Sequence, residues 1–270
     1  MHLRLNKVKV LAAIVLMAFS AVLMLAGCVK ENLEPFTYPE NAVKIKELVL
    51  NCSNKEQFDR QAFFWKNLMG FDVDNQSQSS FSVKIGTSIL TFVVGAQGGV
   101  YQFTLEIPEN QIENALFWIK KRAKVVPDAQ TGAEILHKSK LNTHSLFFND
   151  PAGNHIELIA RHKLKNSMQG EFNRNMIYSI SNVTVVTRSI KDCKDSLINN
   201  FNLYEIPGTS NSVKIVGGES GTLTFHIPTR PYFPSEDNIA SPYRMNIVIR
   251  HPSQVNFKLP GSEAIIRSEP

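Results

Sequence analysis

Cysteine is scarce in this chain: three in 270 residues, too few for a disulfide framework. One of them, Cys28, closes an apolar run near the amino terminus. The other two, Cys52 and Cys193, have no spacing that argues for pairing, and each is expected to pack as a small buried hydrophobe. A concentrated basic block is lacking too. The formal net charge is +5, but Arg4, Lys7 and Lys9 belong to the N-terminal segment. Without them 26 basic residues face 24 acidic ones, a balance of +2. That balance argues against a nucleic-acid partner. The hydrophobic fraction of 43% is ordinary, so a packed core is expected.

The first 30 residues read "MHLRLNKVKVLAAIVLMAFSAVLMLAGCVK". A basic start followed by an uncharged apolar run from Val10 to Gly27 is an export signal. Its end, "LAGC", resembles a bacterial lipoprotein processing box. That resemblance implies diacylglyceryl transfer to Cys28, cleavage before it and acylation of the new amino terminus, which together give a stable membrane anchor. An uncleaved membrane helix is the alternative, since the run is just long enough. Either way residues 29–270 lie outside the cytoplasm, held at a cell membrane. Residues 1–27 are then a signal peptide and 28–42 a proline-containing tether.

The rest of the chain repeats itself. "SVKIGTSILTF" (Ser82–Phe92) returns as "SVKIVGGESGTLTF" (Ser212–Phe225). Around each copy lies the same order of elements: a strand, a Ser-x-x-acid helix start at Ser53 or Ser189, a helix, then more strands. A further copy between them opens with "VYQFTLEI" and closes with "HIELIA". The unit is βαβββ, of roughly 50 to 60 residues. The fold class is therefore α+β, built from modules that pair into a curved sheet with a concave cup and outer helices. Residues 43–165 hold modules 1 and 2, expected to pair with each other. Residues 177–270 hold a third module and a truncated fourth, opening at "YRMNIVIRH", with packing or partner contact as its expected role.

Strand alternation assigns faces. Ile156, Leu158 and Ala160 should pack beneath a helix, which sends His155, Glu157 and Ile159 into the concavity. Tyr101, Phe103 and Leu105 face the helix and leave Gln102 and Thr104 inside. Glu47 shares a face with Ile45 and Val49, opposite Leu48 and Leu50. The repeat makes Glu47, Thr91, Gln102 and Glu157 equivalent, with Asn182 and Thr224 at the same positions of module 3. Pairing modules 1 and 2 would gather the first four in one cup.

"FFNDPAGNHIEL" resembles the closing hairpin of the vicinal-oxygen-chelate superfamily, which includes glyoxalases, bleomycin- and fosfomycin-resistance proteins and extradiol dioxygenases. The similarity runs from about residue 43 to 250, is strongest from 100 to 162, and takes in "LMGF" at Leu68–Phe71. In the turn, Pro151 fixes φ and Gly153 can take positive φ. The resemblance implies a divalent metal (Mn, Mg, Fe, Ni or Zn) held by Glu47, Gln102 and Glu157, an all-oxygen set that favours a hard ion such as Mn²⁺ or Mg²⁺. Iron chemistry would need His144 or His155, and His144 is also a candidate general acid or base.

Two functions stay open at this stage. One is a metal-dependent lyase or dioxygenase acting on a small substrate with neighbouring oxygens. The other is a metal-free lipoprotein whose cup holds a small molecule, as resistance proteins of the superfamily do. A purely structural lipoprotein is a third option. A shared scaffold does not choose among them.

Overall fold

A computed structural model describes residues 43–207, 209–218 and 221–270. The signal peptide, Cys28 and the tether lie outside the described residues. Module 1 comprises β1 (Lys44–Cys52), α1 (Lys55–Phe63), β2 (Val73–Asp74), β3 (Ser80–Ile85) and β4 (Ser88–Val94). Module 2 comprises β5 (Gln102–Ile107), α2 (Ile112–Lys120), β6 (Lys124–Val125), β7 (Leu136–Lys138), β8 (Thr143–Asn149) and β9 (His155–Arg161). Module 3 follows with β10 (Ser179–Val186), α3 (Ile190–Phe201), β11 (Val213–Gly218) and β12 (Gly221–His226). The short fourth module supplies β13 (Met245–Arg250), β14 (Asn256–Lys258) and β15 (Ala264–Glu269) with no helix between them.

Two sheets result, and their composition corrects the expected pairing. One runs β14-β15-β13-β1-β4-β3-β2, the other β11-β12-β10-β5-β9-β8-β6 with β7 alongside β8. Module 1 therefore pairs with module 4, through β1 and β13, and module 2 with module 3, through β5 and β10. Alternation fixes which face each side chain takes, but not which opening strand lies at the neighbouring edge. The truncated fourth module completes a sheet despite lacking a helix. Part of its cover comes from α3, whose Phe201 ring lies 6.3 Å from Phe257 and 5.1 Å from His251.

The two sheets meet where the opening strands bulge. Register shifts fall between Ile45 and Glu47 in β1 and between Ile180 and Asn182 in β10. Such bulges leave backbone groups unpaired. The Ser88 hydroxyl bridges them, donating to the Ile45 carbonyl at 2.6 Å and accepting the Ile180 N–H at 3.0 Å. The bulge also turns Ile45 into the core with Leu48 and Leu50, away from the face expected of it. At the equivalent turn of module 3, Gly221 sits so close to Val43 that a Cβ there would lie 1.7 Å from its carbonyl oxygen.

Local signals held with small shifts. The cap of α1 is Asn54, one residue after Ser53, and its side chain accepts the Gln57 N–H at 2.8 Å. The helix widens into a π-turn over Phe64–Leu68 before Gly70, whose φ is +77°. Gly153 takes φ +82° in the closing hairpin. Phe64 and Trp65 of this π-turn are core, whereas Phe63 and, on α2, Phe117 are exposed. Cys52 and Cys193 are free and buried, and burial pushes their thiols up to about 12 and about 11.

Candidate binding cup

The concave face of the second sheet forms a cavity of about 300 Å³ between modules 2 and 3. Its floor crosses four strands in register. Glu157 on β9 stands beside Thr104 on β5, which faces Asn182 on β10, which neighbours Thr222 on β12. The same alternation places Gln102, Thr184 and Thr224 one step along. The helix-facing residues between them, Phe103, Leu105, Leu158 and Val183, are in the core, so the polar set of these strands faces the cup, with Ile159 of β9 beside it.

The floor is a hydrogen-bonded network. Thr104 donates to Glu157 Oε2 at 2.7 Å, and Thr222 and Thr224 each donate to Asn182 Oδ1 at 2.9 Å. Gln102 is held from both ends: its amide nitrogen donates to the Phe233 carbonyl at 2.6 Å, and its oxygen accepts from Thr184 at 3.3 Å. Phe233 belongs to the loop after β12, "RPYFPSEDN", which the structure lays across one end of the cup. There its ring meets Phe147 edge-on at 5.6 Å.

Glu157 is 8% exposed. Burial alone would raise its pKa, but Lys138 wins, with help from the Thr104 hydrogen bond and the Arg161 charge, and the carboxyl is held below its ordinary value. The Lys138 ammonium lies 3.3 Å from Oε1 and 5.7 and 5.4 Å from the centres of the Phe147 and Phe233 rings. Deeper in, Arg161 forms a buried ion pair with Glu106, whose carboxyl burial nonetheless pushes up to about 7.

The sequence-derived set is only partly brought together. Gln102 and Glu157 share this cup. Glu47 does not reach it, because β1 belongs to the other sheet, where the Glu47 carboxylate accepts from Thr91 at 2.8 Å. Module 3, given a packing role above, supplies Asn182 and Thr224 as the other half of the site. His144 is also misplaced as a candidate acid or base. It lies on the helix side of β8, its Nδ1 2.6 Å from His162 Nε2 and its ring stacked 4.5 Å from His137, whereas Thr143 and Phe147 take the cup side. His155 does face inward, but Asn238 and Tyr232 of the covering loop seal it: Asn238 donates to Nε2 at 2.6 Å, and burial pushes the ring down to about 4.

These donors do not fit a three-ligand divalent centre. Among the described residues no group of three His, Cys, Asp or Glu side chains is placed to hold an ion. The cup lining contains one carboxylate, Glu157, and an ammonium already stands against it. The other oxygens are neutral amides and hydroxyls, poor partners for a divalent ion on their own. Sequence reasoning missed Lys138, Phe147 and Phe233. Of these only Phe233 had a signal, in its proline-rich loop.

The chain carries the vicinal-oxygen-chelate fold, in a tandem form with modules 1 and 4 and modules 2 and 3 as the pairs. A Bacillus subtilis protein described, without an established activity, as a dioxygenase superposes with a TM-score of 0.53 at 12% identity, covering 86% of this chain and 87% of its own. A glyoxalase I variant from Zea mays gives 0.47 at 12%, covering 84% and 94%. A fosfomycin resistance protein variant from Listeria monocytogenes, in complex with Mn(II), gives 0.34 at 14%, covering 45% and 91%. At these identities the likeness is one of fold. No family model and no curated protein matches the sequence.

Proposed function

We propose that this chain is a small-molecule binding protein, anchored through Cys28 outside the cytoplasm, whose working site is the cup of modules 2 and 3. The observation that carries the reading is the Lys138 ammonium beside Glu157, a fixed protein cation where the superfamily resemblance asks for a metal. Around it stand a polar floor, an aromatic corner and a covering loop, which suit an organic ligand held by few directed contacts. A metal-dependent lyase or dioxygenase is the second reading. It is favoured by the fold and by Glu157 on the closing strand, and it would need Lys138 to leave the carboxylate.

A thermal-shift screen of metabolite-sized compounds tests the first reading. A ligand at a hundred times its Kd stabilises by about 2.7 kcal/mol, about 5–10 °C in a domain of this size. Protection that survives chelator and is lost in Phe233→Ala supports binding in this cup. Protection that appears only with added Mn²⁺ or Zn²⁺ favours the second reading.

A further inference from the structure

We propose that the ligand of this cup is a neutral, hydroxyl-rich ring, of the size of a monosaccharide or cyclitol. The inference rests on the binding reading above and names its ligand class.

Charge comes first. Each ionised side chain facing the interior already has its counter-charge, Lys138 against Glu157 and Arg161 against Glu106. A carboxylate or phosphate at Lys138 would share that one ammonium with Glu157, setting a second negative charge beside a nearly enclosed carboxylate, which is costly. Arg230, the remaining cation of the lining, is exposed at the rim and spends a hydrogen bond on the Ser212 hydroxyl. The cup therefore favours a ligand without net charge.

Hydrogen-bonding capacity comes second. Thr143 is a lining residue, 1% exposed, and its enclosed hydroxyl has no partner. A buried polar group of this kind calls for one. Thr222 and Thr224, both lining the cup, have given their protons to Asn182 and keep only acceptor capacity. The Asn182 amide nitrogen has a single long contact, 3.5 Å to Thr104, and remains a donor. Lys138 keeps N–H groups beyond the one used by Glu157. Donors and acceptors thus alternate across the floor, and a hydroxyl, which can do both, answers either kind. An aromatic ligand with few polar substituents would leave most of them unpaired.

Shape comes third. Phe147 and Phe233 form an edge-to-face corner beneath the Lys138 ammonium, with Leu141 and Ile159 on the same lining. A sugar or cyclitol ring has an apolar C–H face for such a wall and a rim of hydroxyls for the floor. The volume, about 300 Å³, is at the small end of ligand sites and suits one such ring with a little room.

The test is ligand-observed NMR and calorimetry on the full chain in a non-glycosidic detergent. The probes are methyl glucoside, methyl galactoside, methyl mannoside and myo-inositol, set against glucuronate, glucose 6-phosphate and 4-nitrophenol. The expected result is binding of at least one neutral ring, weakened about tenfold by Thr143→Val and by Phe233→Ala, with glucuronate and glucose 6-phosphate at least tenfold weaker than the best neutral ring. Phe233 is 44% exposed, so its replacement leaves the fold intact and keeps the test interpretable if Thr143→Val unfolds. Preferred binding of a charged or aromatic probe overturns the inference and leaves the binding reading standing. So does silence from every neutral ring while the broad screen finds another class. If neither experiment finds a ligand, both fail.

Discussion

The Lys138 ammonium and the Glu157 carboxylate stand 3.3 Å apart on the floor of the cup, joined across β7 and β9 by β8 between them. Lys138 is about one-third exposed and Glu157 is nearly enclosed. Removing the lysine therefore leaves a buried charge without compensation. Lys138→Met should cost about 1–2 kcal/mol, discounted for solvent near the lysine. Lys138→Met with Glu157→Gln should recover most of that loss. Denaturant unfolding of the two single variants and the double variant measures the coupling, and strictly additive losses would contradict the pairing.

The module pairing is open to a chemical test. Val49 on β1 is directly opposite Asn246 on β13, and antiparallel partners have Cα atoms about 4.5–5.5 Å apart, within disulfide range. Val49→Cys with Asn246→Cys should cross-link on oxidation, and the bond should appear on peptide mapping. Had modules 1 and 2 shared a sheet, these positions would be far apart and no such bond would form.

The sheet junction should tolerate no added atom. A Cβ at Gly86, where φ is +54°, would lie 1.9 Å from the Tyr178 carbonyl oxygen, and one at Gly221 would meet Val43. The obstacles are backbone, which cannot swing away. Gly86→Ala and Gly221→Ala should each lose more than about 2 kcal/mol. Gly132→Ala should lose far less, because its φ of +70° is strained for alanine but its surroundings are open. Thermal unfolding of the three variants ranks them.

Acid should weaken the covering loop through His155. In the unfolded chain this ring takes its proton near 6.5, and in the folded chain burial delays protonation to about 4. Its contribution is complete above pH 6.5 and is lost as pH falls from 6.5 to 4, up to about 3 kcal/mol. Asp150, raised by burial to about 6, acts in the opposite sense: its contribution is present at low pH and is lost as pH rises through that value. The informative quantity is thus a difference. His155→Gln should cost about 2 kcal/mol more at pH 7 than at pH 4.5. An equal cost at both values would show that the ring does not titrate in this range.

Face assignments were legible in the sequence because the strand period is two and a single polar residue between apolar neighbours must point away from the core. Glu157, Gln102, Thr104 and His155 all lie on the face that alternation gives them. The pairing of modules was not legible, because β1 and β5 offer similar edges and either choice turns polar strand faces into a cup. That one ambiguity put Glu47 and Glu157 together on paper and in different sheets in the molecule. The resemblance makes His144 a candidate acid or base, yet its own alternation with Thr143 and Ser145 sends it outward. Lys138 escaped notice because β7 is three residues long, too short to show a period.

The most direct measurement is elemental analysis of the chain purified without chelator, beside Glu157→Ala, followed by addition of Mn²⁺, Fe²⁺, Ni²⁺ and Zn²⁺ to each. The expected result is no stoichiometric metal in either protein and no ion whose retention depends on Glu157, because Lys138 already answers that carboxylate. Near-stoichiometric metal in the wild type that disappears in Glu157→Ala would contradict it and restore the cup to metal-dependent chemistry.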